Sequence, residues 1–117
     1  IIVSLVGSEM CIRDRSEAIN FGVKSGLNME EVIEVISKGA AQSWQMENRY
    51  KTMLEDKFEH GFAVDWMRKD LKIAMEEAKN NGSLLPVTEI VDKYYSEVQE
   101  MGGNRWDTSS LIRRLSK

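Results

Sequence analysis

A single proline, Pro86, stands in 117 residues, and this scarcity of chain breaks constrains the fold more than any other feature. Proline ends or kinks a helix because it lacks an N–H and clashes with the preceding turn. A chain with one proline, rich in glutamate, lysine, methionine and alanine, is free to run in helices, where those side chains lose little rotamer freedom. Strand-like alternation is not sustained anywhere after residue 15. The expectation is therefore an all-α fold, a bundle of about six helices.

Glycine and asparagine supply the punctuation. A helix from about Ser16 to Ser25 carries Ala18, Phe21 and Gly22 at helical spacing, and Gly26 stands where a left-handed C-terminal cap is wanted. Asn28 offers a side-chain oxygen to the free N–H groups of a second helix, with Glu31 placed to reach back as in a capping box, and that helix is expected to bury Val32, Ile33 and Ile36. Gly39 closes it. A third stretch covers Ala40 to Glu55, with a break near Asn48-Arg49 and with Trp44, Met53 and Leu54 as apolar anchors. Lys57 to Gly61 reads as a polar loop, and Phe62 leads into a helix built on Trp66, Leu71, Ala74 and Ala78 that ends at Asn80-Asn81-Gly82.

Pro86 fits the first turn of the next helix, where its missing N–H costs nothing. Val87, Ile90, Val91, Tyr94, Val98 and Met101 form its apolar stripe. Gly102-Gly103 stops it, and Asp107 caps a short last helix that packs through Leu111, Ile112 and Leu115, with Arg113, Arg114 and Lys117 near its C-terminal end.

With 42% hydrophobic residues at this length there is room for one domain and one modest core. Sixteen basic against 19 acidic residues leave a formal charge of −3 and no basic face of the kind that binds nucleic acid. One cysteine, Cys11, cannot form an internal disulfide, and with one histidine, His60, it does not make a zinc site. The expectation is a metal-free, cytoplasmic protein. The apolar run from Ile1 to Val6 is too short to span a bilayer and has no basic region before it, so neither a targeting segment nor a membrane partner is expected. Residues 1–15 nevertheless stand apart: an apolar start, Gly7-Ser8 and a mixed charged end do not continue into the next helix, and they read as an atypical leader foreign to a domain spanning 16–117.

Most candidate motifs have a structural explanation. Gly102-Gly103 follows a helix rather than a strand, so it caps and does not cradle phosphate. Cys11 and His60 have no pattern that holds them together as nucleophile and base. Glu30-Glu31 and Glu76-Glu77 are neighbours that point about 100° apart on a helix, which suits a solvated face better than shared acid–base work. Trp44, Trp66, Tyr94 and Tyr95 lie on separate helices without interleaved arginines, so they read as packing residues and not as a platform for bases. The informative stretch is Gly61 to Leu71. In a helix, Phe62, Trp66 and Lys69 or Asp70 share a face one turn apart. An aromatic ring, a mobile cation and a carboxylate on one face can close a cleft over a phosphate or a nicotinamide.

Ser16-Glu17-Ala18, Gly26-Leu27-Asn28, Asn48-Arg49, Gly61-Phe62, Lys69-Asp70-Leu71, Pro86 and Asp107-Thr108-Ser109 together resemble one family in order and spacing. The chain resembles the C-terminal helical domain of the 3-hydroxyisobutyrate dehydrogenases, β-hydroxyacid dehydrogenases related to 6-phosphogluconate dehydrogenase, over roughly Ser16 to Lys117. The resemblance implies NAD- or NADP-dependent oxidation of a small 3-hydroxy acid, or reduction of its semialdehyde, with a Rossmann domain holding the dinucleotide and the helical domain closing the cleft and making subunit contacts in a homo-oligomer. It implies that Lys69 reaches the cofactor and that Phe62 and Asp70 border the same pocket.

The family's catalytic lysine, carried over by spacing, falls at or near Ile1, and the asparagine that follows it has no counterpart at Ser4 or Leu5. No catalytic residue is therefore assigned. The expected role is that of one part of a larger oxidoreductase, inactive by itself. The competing expectation is a stand-alone helical interaction or dimerisation module, whose stripe from Val87 to Met101 docks a partner without chemistry.

Overall fold

A computed structural model describes the backbone of residues 2–40 and 42–116 and the side chains of residues 12–40 and 42–116. The readings made at Ile1 and Lys117, and at the side chains of Ser4, Leu5 and Cys11, lie outside the described residues. The elements are α1 (Ile2–Lys24), α2 (Met29–Ile36), α3 (Trp44–Leu54), α4 (Val64–Asn81), α5 (Pro86–Glu100) and a last 3-10 helix, Thr108–Leu115. Among the described residues strand-type pairing is limited to one isolated antiparallel bridge, Ala63 with Asp107.

The caps fall where the residue types placed them. Gly26, Gly82 and Gly102 adopt positive φ at helix ends, and the Asn28 side chain accepts from the N–H groups of Glu30 and Glu31. Pro86 opens α5, and Asp107 accepts from the Ser109 N–H at the start of the 3-10 helix. Other boundaries move. The first helix does not begin at Ser16; α1 passes through that residue without a break, and Ser16 Oγ donates back to the carbonyl of Ile12 at 2.9 Å. The third helix starts at Trp44, because Ser43 caps it through the Met46 N–H at 3.1 Å, and it runs unbroken through Asn48-Arg49. Asn28 Oδ1 takes both N–H groups of the α2 cap, and the capping-box return from Glu31 is not formed.

Two apolar clusters hold the bundle. In one, Ile12 of α1 meets Val64, Met67 and Leu71 of α4, Val91, Tyr95 and Val98 of α5, and Leu111. In the other, Ile19 meets Met29, Met53, Phe58 and Ile112. α1 is the common spine, packing on α3, α4, α5 and the 3-10 helix. The buried face of several helices is rotated from the expected one. Met46 is buried and Trp44 exposed on α3; Met67 is buried and Trp66 exposed on α4; Tyr95 is buried on α5, with Tyr94 only partly so and Ile90 exposed. On α2 Met29 and Ile33 are buried, whereas Ile36 is exposed. On α1 it is Ile19, not Phe21, that enters the core, and Gly22 lets α2 approach: a Cβ there would lie 2.1 Å from the Met29 sulfur. Phe58, inside the loop read as polar, is buried.

A candidate cofactor-facing site

The loop before α4 is built around a buried carboxylate. Gly61 turns the chain at φ 75°, a conformation that costs an L side chain about 1–2 kcal/mol. The next residue, Phe62, donates its backbone N–H to Asp107 Oδ1 at 2.9 Å, and its carbonyl accepts from the Thr108 N–H at 3.0 Å. The Asp107 N–H donates to the Phe58 carbonyl at 2.8 Å. The other carboxylate oxygen, Oδ2, accepts from the Ser109 N–H at 3.1 Å and from the Ser109 hydroxyl, and it pairs with Arg49 Nε at 3.3 Å. The Arg49 guanidinium lies over the Trp44 indole, 4.7 Å from the ring centroid. Burying a carboxylate is costly unless its lone pairs are all engaged. Here two N–H groups, a hydroxyl and a guanidinium engage them.

This arrangement also starts α4. Ala63 provides no side-chain cap; instead the free N–H groups of Val64 and Asp65 donate to the carbonyls of Trp106 and Asn104 at 2.9 and 3.0 Å. A second polar cluster ties α4 to α5. Arg68 meets both carboxylate oxygens of Asp92 at 2.9 and 3.0 Å and Gln99 Oε1 at 2.8 Å, while Gln99 Nε2 and Asn104 Nδ2 both donate to Asp65. The hydrogen bonds that Arg68 donates to the Asp92 carboxylate hold the guanidinium above its ordinary pKa. The helix is thus fixed at its first two turns on its inward sides.

Its outward side carries the expected residues. Phe62 and Trp66 are exposed and meet edge to face, centroids 5.9 Å apart at 73°. Lys69 is exposed one turn further on, and among the described residues it makes no ion pair. Asp70, next along the helix, is half-buried. Phe62, Trp66 and Lys69 therefore present two open aromatic rings and a free ammonium, a combination that fits a flat heteroaromatic ring with an attached phosphate. Trp44 does not join a base-stacking platform but covers Arg49, and Tyr94 lies under Arg114, whose guanidinium carbon is 3.7 Å from its centroid.

Other candidates remain apart. Glu30, Glu31, Glu76, Glu77 and His60 are exposed. Among the described residues no group of three His, Cys, Asp or Glu is arranged to hold a metal ion. No helix among them is long and apolar enough to cross a membrane. An open groove of about 750 Å³ along α1, lined by Ala18, Phe21, Lys24 and Leu115 among others, includes none of the Phe62, Lys69 and Asp70 set. Asp107 and Arg49 were legible only as a cap and as part of a motif; their meeting at Phe62 had no separate sequence signal beyond the co-occurrence of Asn48-Arg49, Gly61-Phe62 and Asp107-Thr108-Ser109.

Residues 5–115 match the family model described as the NAD-binding domain of NADP-dependent 3-hydroxyisobutyrate dehydrogenase. An uncharacterized oxidoreductase of Shewanella frigidimarina is 62% identical over 106 residues, which are 91% of this chain and 36% of that protein. The 2-(hydroxymethyl)glutarate dehydrogenase of Eubacterium barkeri is 35% identical over 99 residues, 84% of this chain and 33% of that one. The chain thus spans about a third of the length of these curated relatives. Among solved structures, the 3-hydroxyisobutyrate dehydrogenase of Salmonella typhimurium superposes with a TM-score of 0.86 at 23% identity, over 97% of this chain and 40% of that one, and establishes likeness of fold.

Proposed function

The chain belongs to the 3-hydroxyisobutyrate dehydrogenase family through its NAD-binding domain, and from that membership we propose that it supplies the cofactor-closing part of an NAD- or NADP-dependent oxidoreductase. Its substrate would be a small 3-hydroxy acid or the corresponding semialdehyde. When bound, the nicotinamide supplies the acceptor or donor of hydride. The chain's own residues bind and orient: Lys69 sets its ammonium against a phosphate or ribose oxygen, Phe62 walls the ring's side of the cleft, and Asp70 orients neighbouring polar groups. The observation that carries this reading is the exposed edge-to-face pair of Phe62 and Trp66, with the exposed Lys69 one turn further along a helix fixed to the bundle. The sequence contains no glycine-rich strand-to-helix loop and no assigned acid–base residue, so the 117 residues by themselves are expected to turn nothing over.

The test joins residues 16–117 to a family Rossmann domain with its connecting helix and compares dinucleotide affinity before and after Lys69→Ala. Loss of a charge-assisted hydrogen bond weakens binding by about tenfold or more. Unchanged affinity removes Lys69 from the site.

A second reading is favoured by one observation: Phe21, 73% exposed near the end of α1, stands in an open groove that Ala18 and Leu115 also line. A contiguous exposed apolar surface marks an association site, and we assign this groove to homo-oligomer formation. Sedimentation that is independent of concentration would refute that assignment.

A further inference from the structure

We propose that Asp107, backed by Arg49, is the residue that positions Phe62 for the dinucleotide; the functional half of this proposal rests on the reading of Phe62 given above. Phe62 lies outside α4, two residues before its first turn, so nothing in the helix itself sets its direction. Its backbone is held from across the chain: the N–H by the Asp107 carboxylate and the carbonyl by the Thr108 N–H. Its ring is then delivered edge-on to Trp66.

The carboxylate has little freedom to move. It is buried, two donors from Ser109 hold one oxygen, and the Arg49 guanidinium closes the same side while resting on Trp44. Gly61 leaves no slack, since a Cβ there would stand 2.1 Å from Asp107 Oδ1 and 3.2 Å from Arg49 Nη2. Trp44, Arg49, Asp107, Phe62 and Trp66 thus form a continuous line from α3 to the open face of α4. None of the first three touches the proposed coenzyme surface through a reacting group. Asp107 acts through Phe62, which makes it a positioning residue and not a catalytic one.

The experiment measures amide hydrogen exchange on the 117-residue chain as wild type, Asp107→Asn, Arg49→Gln and Phe62→Ala, and follows the NADH titration of each by proton–nitrogen NMR in the fusion to a family Rossmann domain described above, which holds the dinucleotide. An asparagine amide turns a donor toward the Ser109 and Arg49 donors, so the group must swing and release the Phe62 N–H. Exchange at the Phe62 amide is expected to rise by about tenfold in Asp107→Asn, with the Leu71 and Val91 amides unchanged and the Trp66 ring resonances shifted. Arg49→Gln, which keeps the direct acceptor, falls between wild type and Asp107→Asn. NADH-dependent shifts at Trp66 require about tenfold more NADH in Asp107→Asn and in Phe62→Ala alike.

Exchange that rises equally at Phe62, Leu71 and Val91 reduces Asp107 to general stability and overturns the proposal. Unchanged exchange at Phe62 overturns it as well. If Phe62 is released but NADH shifts neither Phe62 nor Trp66 in any form, the coenzyme reading of Phe62 fails, and the functional half of the proposal with it, while the clamp stands as geometry.

Discussion

Gly61→Ala and Gly82→Ala place the same methyl group on nearly the same backbone, and the structure predicts very different costs. Gly61 has φ 75° and Gly82 φ 76°, so each variant carries a left-handed strain of about 1–2 kcal/mol. Each recovers about 0.4–1 kcal/mol because alanine restricts the unfolded chain. A Cβ on Gly82 meets nothing within 4 Å, so its net cost stays near 1 kcal/mol. At Gly61 the new carbon would lie 2.1 Å from Asp107 Oδ1 and 2.9 Å from its Cγ. The carboxylate must move, and it cannot do so without lengthening the bond from the Phe62 N–H or the pair with Arg49. A hydrogen bond to a charged group is worth about 1.5–3 kcal/mol, so Gly61→Ala should cost roughly 2.5–4 kcal/mol in total. Urea unfolding followed by circular dichroism measures both, and an unchanged slope keeps the comparison to native-state stability. Costs within about 0.5 kcal/mol of each other would show that the loop around Asp107 yields freely and would refute the clamp.

Leu71→Ala removes a side chain with no exposed surface between α1, α4 and α5 and should cost about 2–5 kcal/mol, whereas Ile73→Ala, two residues along the same helix and 46% exposed, should change stability by no more than about 0.5 kcal/mol; thermal unfolding of the pair separates them, and equal losses would mean that the buried face of α4 is misplaced. A double-mutant cycle on Arg68 and Asp92 should return a coupling of about 1 kcal/mol, at the upper end for partly exposed pairs because the contact is two-pronged and braced by Gln99. Coupling indistinguishable from zero would reduce it to an incidental surface contact. The proposal that residues 1–15 are foreign to the domain is checked by the genomic sequence upstream of the Ser16 codon: a family reading frame continuous with Cys11-Ile12-Arg13 ends it.

The residues that announce element ends needed no tertiary information. Asn28, Gly26, Gly82, Pro86, Gly102 and Asp107 act through backbone groups within a few positions, so the all-helical class and the order of helices are local consequences of residue type. The exposure of Trp66 and Lys69 one turn apart on α4 also follows from helical spacing, whereas Phe62, two residues before the helix, is placed by Asp107 and Thr108. What local spacing leaves open is which of two apolar stripes a helix buries. α3 carries both Trp44 and Met46, about 200° apart, while α4 carries Trp66 and Met67 and α5 carries Tyr94 and Tyr95, each of these two pairs about 100° apart. The docking of the partner helices selected Met46, Met67 and Tyr95 for full burial, leaving Trp44 and Trp66 exposed and Tyr94 at the edge of the core.

Phe58 and Asp107 make the same distinction more sharply. A phenylalanine between Lys57 and Glu59 reads as loop, yet it is buried beneath the Arg113 guanidinium in a cluster with Ile19, Met29, Met53 and Ile112. An aspartate before Thr108-Ser109 reads as a cap, and it is one; its second oxygen also fixes a backbone N–H 45 residues earlier in the chain. Local chemistry determines what a residue offers, whether an acceptor, a cap or an apolar face. The group that takes up the offer is set by packing distant segments into one dry interior, where an unmatched carboxylate or a misdirected ring would cost more than the bundle can bear.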